Sequence, residues 1–257
     1  MRIAPSRPAP HAAPPAAAPT GHRHTPAAPA APAPGRPRSA VRSALVTVGG
    51  DDVHEDLFSA AFTLQAALTD EGFATRTSVG TASLSDAADL DVIVLFTALG
   101  RFTPEQRRAL EAAVRAGCGL LALHSTAVLA SPPEQADQAD ELLAALIGSR
   151  YVSHGPPPHE SRFEVLLDRD HEVTAGIAPF WVTHEHYRLA TDPEVSVLAW
   201  RATEQGREPL LHVREHGAGR VGYLQLGHDL RIWGEPAVRR LVRRAARWAC
   251  RPDAREN

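Results

Sequence analysis

Two fully apolar runs, Val92-Ile-Val-Leu-Phe96 and Gly119-Leu-Leu-Ala-Leu123, bracket a segment that opens Thr103-Pro104-Glu105-Gln106. A threonine cap, a proline at the first helical position and a glutamine three residues after the cap form a complete helix start. Gly117 closes that helix. Short apolar runs joined by a helix read as neighbouring parallel strands buried on both faces, because the crossover helix covers the sheet. The pattern begins earlier in the chain. Ala44 to Gly49 is strand-like, and Leu57, Ala60, Ala61, Leu64, Ala67 and Leu68 share one helical face that ends at Gly72. Ala74 to Val79 reads as the next strand. This βαβαβαβ alternation predicts an α/β fold built on a doubly wound, mostly parallel sheet with right-handed crossovers.

The second half changes character. Phe163 to Asp168, Val195 to Trp200, Leu210 to Glu215 and Arg220 to Leu226 read as strands with few helices between them, and His216 to Gly219 as a turn. They predict an antiparallel addition to the sheet. A closing helix carries Val238, Leu241, Val242, Ala245, Trp248 and Ala249 on one face and five arginines on the other, which reads as a solvated face.

Composition divides the chain. Residues 1–40 hold 11 of the 22 prolines, 13 alanines and no acid. Such a segment buries too little apolar surface to offset the entropy of ordering, and is expected to be a disordered tail. The predicted domain is 41–251, with 252–257 as a flexible end. Beyond the tail, 22 arginines face 30 acids, a balance of −8 that argues against nucleic acid as a partner. No apolar stretch reaches the length of a membrane span. Two cysteines, Cys118 and Cys250, suit free thiols in a cytoplasmic protein. The sequence contains no lysine, which excludes Schiff-base chemistry and a Walker-type phosphate lysine, and no nucleotide cofactor is expected.

Histidines supply the candidate chemistry. His124 ends one predicted strand and His228 another, about a hundred residues apart. In open α/β sheets, ligands bind beyond the carboxyl ends of the strands, so these imidazoles are expected to share one site. His54, His154 and the cluster His184-Glu185-His186-Tyr187 also fall at strand ends or in loops. Three chemistries suit them. Imidazoles with a carboxylate can hold zinc or a similar divalent ion, with His124, His228 and His154 as candidate ligands. On a strand His184 and His186 share a face opposite Glu185, so all three cannot bind one ion. Metal-free acid–base chemistry is the second option, with Asp229 available to orient an imidazole. The third is a nucleophile at Ser125, although the glycines of a nucleophile elbow are missing around it. His171 reads as structural, and His212, alternating with apolar residues, as a surface position.

At these residues the chain resembles the ThuA-like (trehalose utilisation) family. The resemblance is carried by Gly119 to Ser125, Leu146 to Gly148 with Tyr151 and His154, His171 to Gly176, Glu185 with Tyr187, Gly219 to Tyr223, Gly227-His228-Asp229, Trp233, Pro236 and Arg247 to Ala249. It implies the flavodoxin-like fold of class I glutamine amidotransferases. Those enzymes carry a cysteine at the elbow, where this chain has His124-Ser125; glutaminase chemistry is therefore rejected. The family's usual Asp-Glu-x-Tyr reads His184-Glu185-His186-Tyr187 here.

The resemblance also implies catabolism of trehalose-type disaccharides through 3-keto sugars, with a sugar oxidoreductase as a pathway partner, and leaves room for a homo-oligomer. The expected roles are ketone polarisation or metal ligation for His124 and His228, proton abstraction for Glu185 or His154, and sugar contacts for His54, Ser125, Tyr187 and Asp229. The alternative is a non-catalytic sugar-binding or regulatory domain of the same fold.

Overall fold

A computed structural model describes residues 41–50, 56–98, 102–130 and 141–250. The tail, the C-terminal residues after Cys250 and the candidate His54 lie outside the described residues. The strands β1 (Ser43–Gly50), β2 (Ala74–Val79), β3 (Val92–Ala98), β4 (Gly119–Leu123) and β11 (Gly219–Leu224) run parallel in the order β2-β1-β3-β4-β11. α1 (Leu57–Asp70) connects β1 to β2, a 3-10 helix (Ala82–Asp89) connects β2 to β3, and α2 (Pro104–Ala116) connects β3 to β4. Thr103 and Gln106 form the reciprocal capping box expected from sequence, and Gly117 ends α2 in the left-handed region at φ 116°.

The sheet continues antiparallel through β10 (Gly206–His216), β9 (Ser196–Thr203), β6 (Glu160–Leu167) and β7 (Phe180–Glu185), giving nine strands. A separate ribbon pairs β5 (Ser149–Ser153) with β8 (Arg188–Thr191). Sequence periodicity missed β5, β7 and β8. They are short and mix polar with apolar residues, so no period distinguishes them from loop. Among the described residues three further α-helices follow, α3 (Glu141–Ile147), α4 (Leu230–Gly234) and α5 (Pro236–Ala249).

Two apolar clusters divide the core. One joins α1 and α5 to alternate residues of β1 and β3 and extends under the antiparallel strands; the other joins α2 and α3 to the opposite residues, such as Leu45, Ile93 and Leu120. β4 is buried along its whole length, which explains its unbroken apolar run.

His212 corrects the sequence reading. It is 1% exposed, because β10 lies inside the sheet with both faces covered. Its Nε2–H donates to the Ile147 carbonyl at 2.9 Å, while Nδ1 is buried with no hydrogen-bond partner among the described residues.

Candidate active site

β4 ends and a 3-10 turn (His124–Ala130) begins at His124. Its φ of 43° makes it the only non-glycine residue with positive φ among those described. That conformation costs about 1–2 kcal/mol for an L-residue. It marks His124 itself, and not Ser125, as the residue at the apex of the strand-to-helix elbow. The surroundings over-determine it. The Tyr223 hydroxyl donates to the His124 carbonyl at 2.9 Å, and Tyr187 stacks on its ring at 4.7 Å with 11° between planes. A Cβ on Gly227 would stand 2.9 Å from the His124 Cβ, so the loop after β11 approaches this closely only with glycine.

His124 Nδ1–H donates to the Gln225 carbonyl at 2.8 Å. A buried imidazole fixed through Nδ1 presents its other nitrogen in a defined direction. Nε2 faces three groups: His228 Nδ1 at 3.4 Å, Glu185 Oε1 at 3.3 Å and the Tyr187 hydroxyl at 3.2 Å. Glu185 Oε2 is 3.5 Å from His228 Nδ1, which closes a triangle of donors. Burial raises the Glu185 carboxyl, but the His124 ring, the His228 ring and the Tyr187 hydroxyl outweigh it and hold its pKa at about 2. Burial lowers His228, and the Glu185 charge only partly offsets this.

The donor set suits a divalent ion. A tetrahedral ion about 2.1 Å from each of its ligands sets them about 3.4 Å apart, which is the spacing of this triangle. The donor atoms of His124, Glu185 and His228 lie within 4.8 Å of one another. The third candidate ligand is thus Glu185, where the sequence reading has His154. His154 stands beside the triangle, its Nε2 3.5 Å from Glu185 Oε1 and its Nδ1 hydrogen-bonded to the Tyr151 hydroxyl. Burial and the Glu185 charge push Tyr151 up to about 12, so its phenol stays protonated at neutral pH.

His184 is fully buried beneath the cluster. Its Nδ1–H donates to the Glu185 carbonyl at 2.7 Å, and its Nε2 accepts the backbone N–H of Gly227 and of His228, both at 3.1 Å. One imidazole therefore ties together the backbones that carry Glu185 and His228. Burial, with a smaller contribution from the His124 ring, lowers its pKa to about 3. His186 turns away after β7 ends and hydrogen-bonds Ser161 at 2.7 Å.

The family model described as trehalose utilisation matches residues 43–249. The chain belongs to the ThuA family. The match gives this ThuA protein a carbohydrate-related role. A ThuA-like protein from Parabacteroides merdae ATCC 43184 is 16% identical, with a TM-score of 0.64 over 81% of this chain and 90% of that one. A second, from Bacteroides uniformis ATCC 8492, is also 16% identical, with a TM-score of 0.62 over 84% and 94%. A cytoplasmic protein from Salmonella typhimurium LT2 is 12% identical, with a TM-score of 0.58 over 81% and 100%. At these identities the likeness speaks to the fold. No curated protein matches the sequence. No helix among the described residues is long and apolar enough to cross a membrane.

Two residues expected to touch substrate are otherwise engaged in this ThuA chain. Ser125 is 3% exposed and its hydroxyl donates to the Thr97 carbonyl at 3.1 Å, so it anchors the elbow to β3. Asp229 caps α4 by accepting the N–H of Arg231 at 2.8 Å, and its carboxylate also pairs with the Arg231 side chain. Cys118 lies at the far end of β4, its Sγ against the Gly119 carbonyl, which leaves the elbow without a thiol.

Sequence reasoning gave no role to Tyr151 or Gln225 and did not identify His184 as a brace. The Gln225 backbone carbonyl fixes His124. Its side-chain amide, oriented to donate to the Pro209 carbonyl, accepts the Tyr187 N–H at 2.6 Å. No motif marks such a residue, because its role depends on which strand lies beside it.

Proposed function

We propose that this ThuA protein is a cytoplasmic enzyme of carbohydrate catabolism that cleaves the glycosidic bond of 3-keto-glycosides of the trehalose type. The observation that carries this reading is the convergence of His124 Nε2, His228 Nδ1 and the Glu185 carboxylate at 3.3–3.5 Å. These three residues would hold a divalent ion, zinc or similar, which when bound supplies a Lewis acid for the substrate ketone.

A ketone at C3 acidifies the proton on C2. With His124, His228 and Glu185 committed to the ion and His184 buried as a brace, His154 is the partly exposed imidazole beside them. With its Nδ1–H given to the Tyr151 oxygen, Nε2 is the basic atom facing the cluster. Nε2 takes the C2 proton, the C1–O bond breaks, and the electron pair leaves on the glycosidic oxygen. The imidazolium formed beside Glu185 returns the proton to that oxygen as it departs. Addition of water across the new C1–C2 double bond completes a net hydrolysis. Tyr187, buried and stacked on His124 with its hydroxyl 3.2 Å from Nε2, holds that imidazole in position and does not reach the sugar.

The test is turnover of 3-keto-trehalose by the purified full chain before and after chelation. Cleavage that chelation abolishes and zinc restores supports the reading. A protein that binds the sugar without cleaving it under any metal condition belongs to the alternative, a non-catalytic sugar-binding domain.

A further inference from the structure

We infer that the cavity on the outer side of His154 is a subsite for a second, neutral and unreacted sugar ring; this rests on the reading above. The cavity measures about 280 Å³ and is lined by His154, Arg188, Arg201, Glu208 and the Pro156–Pro158 turn. That is the small end of ligand sites, about the size of one sugar ring. His154 also lies 3.5 Å from Glu185, so one side chain is shared between this cavity and the His124–Glu185–His228 cluster. A glycoside whose reacting ring sits on the cluster thus has its leaving ring directed past His154.

The lining suits a polyol better than an anion or an apolar group. Arg201 and Glu208 side chains are only 11% and 15% exposed and pair with each other, the Arg201 Nε–H donating to Glu208 Oε2 at 2.6 Å. Arg188 Nε lies 3.6 Å from Glu208 Oε1, so the carboxylate sits between two guanidinium groups. Ser161 and His186 add a hydroxyl and an imidazole, 2.7 Å apart. The wall therefore carries both donor and acceptor groups, which the hydroxyls of a sugar can match. An anion would meet the Glu208 carboxylate, and Arg201 is already committed to that group. An apolar ligand would strip water from the open sides of these polar groups without replacing its hydrogen bonds. The proline turn supplies the apolar surface on which the C–H face of a ring can lie. Gly155, at φ 75°, keeps the loop clear of Arg188: a Cβ there would stand 3.3 Å from its Nε.

The test uses the full chain and trehalose, which lacks the ketone and is not consumed. Saturation-transfer NMR and calorimetry compare wild type, Arg188→Ala and Glu208→Gln, with trehalose 6-phosphate as the anionic competitor. We expect wild type to bind trehalose, each variant to weaken it about tenfold, the loss of one charge-assisted hydrogen bond, and the phosphate to confer no advantage. Equal binding by wild type and both variants, no binding by wild type, or tighter binding of the phosphorylated sugar overturns the inference. Turnover separates the two proposals. Arg188-dependent trehalose binding with no cleavage of 3-keto-trehalose removes the chemistry and keeps the subsite. Cleavage with a KM that neither variant changes keeps the chemistry and removes the subsite.

Discussion

The parallel and antiparallel halves of the sheet supply the site in different ways. The parallel half delivers His124 directly from the end of β4 and His228 from the loop just past the adjacent β11, so strand order brings the two close together. The antiparallel half delivers Glu185 and Tyr187 from the link between β7, on the far edge of the large sheet, and β8, in the separate ribbon. Their position depends on braces: His184 against the Gly227–His228 backbone, and Gln225 against Tyr187. A parallel strand end is a rigid mount, whereas a crossover between two sheets needs hydrogen bonds to hold it.

That contrast can be broken by substitution. The largest effect is expected on chemistry. His124→Ala from the parallel half and Glu185→Gln from the antiparallel half should each lower turnover of the keto-glycoside by about 10²–10⁴-fold, with unchanged circular dichroism. If only one of the two variants loses activity, the halves do not form one centre.

Next is the brace. His184→Leu leaves the N–H groups of Gly227 and His228 without an acceptor and should cost about 2–4 kcal/mol in denaturant unfolding. His184→Asp restores an acceptor and should recover at least half of that loss, together with divalent-ion affinity. Equal stability of the two variants would mean that His184 does not hold the halves together.

Acid should act through the same buried rings. Burial holds His212 at about 4 and His184 at about 3, against 6.5 for an ordinary histidine. Below pH 6.5 the unfolded chain binds protons that the folded chain does not, so stability falls with falling pH and the loss completes only below the folded values. For His212 alone this amounts to about 3 kcal/mol. Unfolding free energies at pH 7 and pH 4.5 check it, and equal values would contradict the buried, neutral state.

The smallest effect belongs to Arg231, which reaches from α4 to Glu160 on β6 and so links the two halves at the surface. Its side chain is 56% exposed, and Arg231→Ala should cost about 0.5 kcal/mol. A cost several times larger would make the ion pair, and not the buried braces, the tie between the halves.

The same division governs what the sequence discloses. The apolar runs of β3 and β4, the Thr103–Gln106 cap and the amphipathic face of α5 report local periods, and each is found where the pattern puts it. The pairing of His124 with His228 follows from the rule that ligand sites lie at carboxyl ends of parallel strands. The third member of the cluster does not follow. His184 and Glu185 point to opposite faces of β7, as alternation requires, yet both serve the site, one as brace and the other as donor. Nothing local to β7 reveals that its end meets the loop after β11. His212 is misread for a related reason: alternation reports a half-exposed strand only when one face of the sheet is open, and around β10 neither is.

Cobalt titration of the chelator-treated full chain, followed by visible absorbance, tests the central claim most directly. We expect one equivalent to bind with the spectrum of a tetrahedral nitrogen and oxygen site, and no saturable binding in His124→Ala, His228→Ala or Glu185→Gln. Wild-type protein that takes up no cobalt, or variants that bind it as wild type does, would contradict a shared centre built from these three residues.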